Sequence, residues 1–240
     1  MRILVTSDYR MLSQQAAHIV GDGLKANPEL TLGLPTGSTP LGMYAELVRL
    51  RQAEGLDFSR ARTFNLDEYI GLPADHPKSY HAYMRRHFFD HVNLAAENID
   101  IPNGAPGIDV DAESERYERA IHAAGGIDLL IVGIGANGHI AFNEPGSSFA
   151  SRTRVVNLAP DTIANARRLF ESEAEAPRTA ITVGIGTILD AHRILVLASG
   201  ASKAGVVRRV LRGPVSESLP ATALQLHADV TAILDRPAAP

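Results

Sequence analysis

Three segments carry residues that could do chemistry, and each follows a run of strand-like sequence. In residues 64–72 (FNLDEYIGL), Asp67 and Glu68 are adjacent carboxylates among apolar neighbours. Partial burial would raise a carboxyl pKa and make it a usable general base. A helix-capping aspartate or a solvated turn would read the same way without chemistry. In residues 128–149 (DLLIVGIGANGHIAFNEPGSSF), Asn137, His139, Asn143 and Glu144 crowd onto a glycine-rich turn. A histidine titrates near neutrality, and a nearby carboxylate can fix its tautomer and raise its basicity. Gly133, Gly135 and Gly138 satisfy G-x-G-x-x-G, but Pro145 and Gly146 interrupt what a dinucleotide site would continue as a helix. In residues 32–40 (LGLPTGSTP), Gly37, Ser38 and Thr39 offer free backbone N–H groups, with Thr39 as N-cap and Pro40 as the first helical residue. That is either an anion site at a helix N-terminus or a plain capped turn. The Gly-Lys-Ser/Thr ending of a Walker A loop is absent.

Two later segments add cations. Residues 199–205 (SGASKAG) place Lys203 in the first turn of an expected helix. A lysine there opposes the helix dipole unless an anion also binds, so a phosphate or carboxylate is the better reading. Arg167 and Arg168 lie in a charged, proline-bounded stretch, residues 158–178, which reads as a mobile lid or as a solvated surface helix. His87 and His91 sit at i, i+4, but no glutamate follows His87, and a solvated helix end explains the pair better than a metal. No G-x-S-x-G elbow is present, which disfavours a Ser-His-Asp hydrolase.

The elements that must position these residues alternate. Strand patterns fall at residues 2–6, 30–34, 62–66, 128–133, 155–158, 179–183 and 193–197. Helical patterns fall at 10–26, 40–54, 79–91, 111–124 and 202–211. Such alternation predicts an α/β fold: an open, mainly parallel sheet with helices on both faces, modified Rossmann-like, in one domain over residues 1–240. Ligands of such sheets bind beyond the carboxyl ends of the strands, where all three chemistry-bearing segments would lie. Residues 235–240 (DRPAAP) read as a frayed tail.

Composition narrows the function classes. The chain has 240 residues, 45% hydrophobic and 21% charged, an ordinary globular balance. It has no cysteine, which removes disulfides, zinc ribbons, iron–sulfur clusters and thiol catalysis. Basic residues (23) do not outnumber acidic ones (27), so no nucleic-acid partner is expected. Neither a membrane-length apolar run nor a signal-peptide pattern is visible, so a cytoplasmic protein is expected. Only three lysines occur, Lys25, Lys78 and Lys203, which makes Lys203 stand out.

Taken in order, LGLPTGSTP, FNLDEYIGL, GANGHIAFNEPGSS, SRTRVV, PRTAITVGIGTIL, SGASKAG and ATALQLH resemble the glucosamine-6-phosphate deaminases over nearly the whole chain. The resemblance implies an enzyme of amino-sugar catabolism that converts glucosamine 6-phosphate and water to fructose 6-phosphate and ammonia. It implies no metal and no redox cofactor. By position, Asp67 would be the base at C2, His139 the acid/base that opens the sugar ring, and Glu144 its hydrogen-bonded partner. Gly37, Ser38, Thr39, Lys203 and Arg168 would bind the phosphate. Reading without a gap from Asp161 selects Arg168, whereas the Ala-Asn-x-Arg pattern selects Arg167. Asn137 stands where many members have an aspartate in the ring-opening relay; it can orient a hydrogen bond but cannot take a proton. Regulated members have an Arg-x-Lys pair in an allosteric site for N-acetylglucosamine 6-phosphate and a longer C-terminal segment. Here Arg154, Ser147 and Ser148 are present but Val156 replaces the lysine, so that activation is expected to be absent. The family includes monomers and hexamers, and the sequence does not choose between them. Rival readings are a 6-phosphogluconolactonase of similar fold and a non-catalytic sugar-phosphate sensor. A lactonase would not need a carbon base at Asp67, and no DNA-binding helix-turn-helix is visible for a regulator.

Overall fold

The computed structural model describes residues 1–167, 170 and 176–240. The described elements run β1 (Arg2–Thr6), α1 (Tyr9–Ala26), β2 (Thr31–Leu34), α2 (Leu41–Glu54), β3 (Arg62–Asn65), β4 (Asp67–Tyr69), α3 (Tyr80–His87), β5 (Ile99–Asp100), α4 (Val110–Ala123) and β6 (Leu129–Gly133). They continue with β7 (Arg154–Asn157), α5 (Pro160–Arg167), β8 (Thr179–Thr182), α6 (Ile185–Leu189), β9 (Arg193–Ala198), α7 (Ala204–Arg212) and β10 (Val230–Asp235).

Seven strands form one open sheet in the order β1-β10-β9-β6-β2-β3-β5, and every neighbouring pair is parallel. The order reverses between β2 and β6. From β2 the chain runs outward through β3 and β5, then returns to β6 on the other side. A reversal of this kind opens a crevice beyond the strand ends. Because β9, β6, β2 and β3 are consecutive and parallel, the loops that follow them share one end of the sheet.

The central strands read as unbroken apolar runs because both faces are covered. In β6, Leu130 and Val132 enter one core with α4, α6 and α7, while Leu129 and Ile131 enter the other with α1, α2 and α3. The helices form where local signals agree. Asp8 caps α1 by accepting from the N–H of Met11 at 2.9 Å, and Leu12, Ala16, Val20 and Leu24 recur on its buried stripe. Asp109 caps α4 through the N–H of Ala112 at 3.0 Å.

Several sequence expectations need correction. A second sheet, β4-β8-β7, is antiparallel, so the strand patterns near residues 155 and 180 do not extend the parallel sheet. These strands are only three or four residues long, and pattern alone does not tell which sheet claims them. The helical pattern at 79–91 breaks at Phe88, where the backbone leaves the helix and Phe89–His91 closes a 3-10 turn. Helix α2 starts at Leu41; Pro40 occupies the cap position and Thr39 makes no capping bond. The chain end is not frayed at Asp235, which terminates the unforeseen sheet strand β10 and is 3% exposed. Its carboxylate accepts from the Ser199 hydroxyl and from the N–H groups of Gly200 and Ala238.

Candidate active site

Asp67 and Glu68 have separate tasks. Successive side chains of a strand point to opposite faces. Glu68 turns toward α3 and seats its N-terminus: its oxygens accept from the N–H of Tyr80 and of His81, both at 3.0 Å, and lie 2.9 Å from His81 Nδ1. It also accepts from the N–H of Tyr69 at 2.8 Å. The sequence allowed for a helix-capping aspartate here; it is the neighbouring Glu68 that seats the helix. Asp67 is 7% exposed, and among the described residues no donor reaches its carboxylate. Burial, reinforced by the neighbouring Glu68 charge, pushes its pKa up to about 8.

The histidine turn follows β6. Gly135 N–H donates to His139 O, and Gly138 N–H to Gly135 O, closing a tight loop. The imidazole folds back over the backbone of Gly135, where a Cβ would lie 2.2 Å from His139 Cε1. Only glycine fits that close approach. Asn137 joins the two chemical residues: its Oδ1 accepts from His139 N–H at 3.1 Å, and its Nδ2 donates to Glu144 Oε2 at 2.8 Å. His139 Nδ1 lies 3.5 Å from the same Glu144 oxygen and is buried with no other partner among the described residues. Such contacts tighten when substrate packs around them. The other Glu144 oxygen accepts from the Thr162 hydroxyl. Burial alone would raise the Glu144 pKa; the imidazole, Thr162 and Asn137 outweigh it and hold the carboxyl down to about 2.

One strand ties this turn to Asp67. Thr182 of β8 pairs with Asp67 in the antiparallel sheet, and its hydroxyl accepts from the N–H of Phe142 at 3.1 Å. Asn143 is fully buried and donates to Ile140 O and Val183 O, which fixes the far side of the turn. Arg154 reaches Asn143 Oδ1 at 2.9 Å and Ser147 Oγ at 3.3 Å, so its half-buried guanidinium is held by neutral acceptors.

The other expected residues sit on the adjoining strand ends. The loop after β2 turns at Gly37, whose φ of +102° suits glycine. Among the described residues nothing accepts from the backbone N–H groups of Gly37, Ser38 or Thr39. Lys203 lies in a 3-10 turn just before α7, not in the helix itself. Its half-buried Nζ donates to Ile134 O at 2.7 Å, directly after β6, and burial lowers its pKa. Asp235 fixes the start of that turn through Ser199 and Gly200. Arg168 lies outside the described residues. Arg167 is the last residue of α5, and of residues 158–178 the described part forms the end of a loop, that helix and the approach to β8.

Thr162, Thr182 and Asp235 were not singled out by sequence. A lone threonine carries no local signal. Asp235 had one: VTAILD is a continuous apolar run ending in an acid, the pattern of a covered parallel strand.

The chain is similar to known proteins over nearly its whole length. The family model described as glucosamine-6-phosphate isomerases/6-phosphogluconolactonase matches residues 8–233. A glucosamine-6-phosphate deaminase of Thermoanaerobacter pseudethanolicus is 49% identical over 239 residues, covering 100% of this chain and 94% of the relative. Glucosamine-6-phosphate deaminase 1 of Bacillus subtilis is also 49% identical, covering 98% of the relative. A solved structure described as a monomeric glucosamine-6-phosphate deaminase superposes with a TM-score of 0.96 at 49% identity, over 99% of this chain and 98% of that one. The 6-phosphogluconolactonase of Trypanosoma brucei shares the fold, with a TM-score of 0.76 at 23% identity over 99% of this chain and 97% of that one. By the span of the family match and by these identities, the chain belongs to the family of glucosamine-6-phosphate isomerases and 6-phosphogluconolactonases.

Proposed function

We propose that this chain is a glucosamine-6-phosphate deaminase, converting glucosamine 6-phosphate and water to fructose 6-phosphate and ammonia by acid–base chemistry in the cytoplasm. The observation that carries the reading is the state of Asp67: a buried carboxyl with no protein donor among the described residues and a pKa pushed up to about 8. A carbon base needs that character. Hydrolysis of a lactone does not require one.

His139 moves a proton between O5 and O1 as the pyranose ring opens. Glu144, held ionised, stabilises the imidazolium, and Asn137 keeps the pair aligned. Asp67 then takes the C2 proton. The released electron pair forms the C1–C2 double bond while O1 takes the proton that the C2 ammonium gives up through His139, leaving a neutral enolamine. The proton on Asp67 returns at C1, leaving an imine at C2. Water adds to that carbon and ammonia departs. One base facing both carbons serves both transfers. The substrate's own ammonium on C2 draws the Asp67 pKa back down, so binding ionises the base where it is needed.

The phosphate takes the free N–H groups of Gly37, Ser38 and Thr39, with Lys203 from the neighbouring strand end. Arg168, or Arg167, completes that site. All these residues come from one chain, folded as one domain, so the site calls for no second copy. The test is solvent exchange at C2 of glucosamine 6-phosphate. Asp67→Asn is expected to keep binding phosphate ligands and to lose exchange; exchange that survives overturns the base assignment.

A further inference from the structure

The loop read as the phosphate site is held from behind by three phenols on three different helices. Tyr83 of α3 donates to Gly37 O at 2.6 Å. Tyr9, the first residue of α1, reaches Thr39 O at 3.0 Å and Ser38 O at 3.2 Å, and accepts from the N–H of Gly42 at 2.8 Å. Tyr44 of α2 donates to Pro35 O at 2.5 Å. Four carbonyls of one short loop are thus turned toward tyrosines. The N–H groups of Gly37, Ser38 and Thr39 have no acceptor among the described residues. A peptide plane carries its C=O and N–H on opposite sides. Each plane joins the C=O of one residue to the N–H of the next, so Tyr83 at Gly37 O turns the Ser38 N–H outward and Tyr9 at Ser38 O turns the Thr39 N–H outward, and an anion meets two donors that need no reorganisation.

We propose that Tyr83 and Tyr9 are positioning residues that preset this loop for phosphate, and that Tyr83 also sets its distance from Asp67. The second part follows from α3. Glu68, adjacent to Asp67, accepts from the N–H groups of Tyr80 and His81 at the start of that helix. One turn further on, Tyr83 grips Gly37. The first turn of this helix is a rigid strut between the base's neighbour and the phosphate loop. Burial and the nearby Tyr9 push the Tyr83 pKa up, so the phenol stays a donor across the working range. The proposal rests on the reading of residues 37–39 as the phosphate loop.

The experiment uses the full chain, wild type and Tyr83→Phe, with inorganic phosphate as a competitive probe. One lost hydrogen bond to a carbonyl should weaken binding at the loop by about three- to tenfold. The Ki of phosphate and the KM of glucosamine 6-phosphate should rise together by that factor. The turnover number of Tyr83→Phe should fall by about threefold as the loop's spacing from Asp67 loosens, and the melting temperature should hold within about 3 °C. Tyr9→Phe should act in the same direction and serves if Tyr83→Phe does not fold. Phosphate that fails to compete in the wild type removes the phosphate-loop reading itself. Phosphate that competes equally well in wild type and both variants leaves that reading standing and overturns the positioning role. So does a fall in melting temperature with Ki unchanged, which marks a merely structural bond.

Discussion

Replacing Asp67 by asparagine removes the ionisation and keeps the shape, and its effect on stability should depend on pH with a defined sign. In the unfolded chain the carboxyl titrates near 3.8; in the fold it titrates near 8. Between those values the native state holds a proton that the unfolded state has released. The contribution of the neutral acid is complete below 3.8 and is lost as pH rises through about 8, where the fold must bury a charge. A displacement of that size corresponds to on the order of 5 kcal/mol. For a chain of this length that is on the order of 10 °C in melting temperature. Thermal melts of wild type and Asp67→Asn at pH 4, 7 and 9 should show little difference at pH 4, most of the difference at pH 7, and a variant more stable by on the order of 10 °C at pH 9. A variant equally or less stable at pH 9, or a difference that does not change with pH, refutes the claim that Asp67 is buried without compensation.

Three further outcomes follow from the same geometry. Gly135→Ala puts a Cβ 2.2 Å from His139 Cε1, so the ring must move; turnover should fall by about 100-fold or more while the Ki of inorganic phosphate is unchanged. Lys203→Met removes a charged donor from the phosphate site and should raise KM by about 10- to 100-fold, with a smaller effect on turnover, read from initial rates. Arg154 is already held by Asn143 and Ser147, and Val156 stands beside it where regulated members have lysine. The substrate curve should therefore be hyperbolic with or without N-acetylglucosamine 6-phosphate; a sigmoidal curve made hyperbolic by that ligand would contradict this.

The parallel sheet was legible because its central strands, such as residues 128–133, are apolar on both faces and are separated by strongly periodic helices. The side sheet was not, because β4, β7 and β8 are short and their pairing is decided by tertiary contacts. The chemical residues were legible as clusters: Asp67 with Glu68, and Asn137 with His139 and Glu144. Their division of labour was not. Nothing in the DEY order tells that Glu68 seats α3 while Asp67 is left without a donor; that depends on which face of a three-residue strand meets the helix. The SGASKAG segment makes Lys203 legible as a candidate anion ligand, but its bond to Ile134 O depends on β9 lying next to β6. The tyrosines behind residues 35–39 were invisible for the same reason: Tyr9, Tyr44 and Tyr83 are spread over three helices and converge only in the fold.

Ammonia release from glucosamine 6-phosphate, counted against fructose 6-phosphate formed in the same tube, is the most direct measurement. Equal amounts of the two products from the wild-type chain, and neither from Asp67→Asn, are expected. Acid released from 6-phosphogluconolactone with no ammonia from the amino sugar would contradict the assignment of this site.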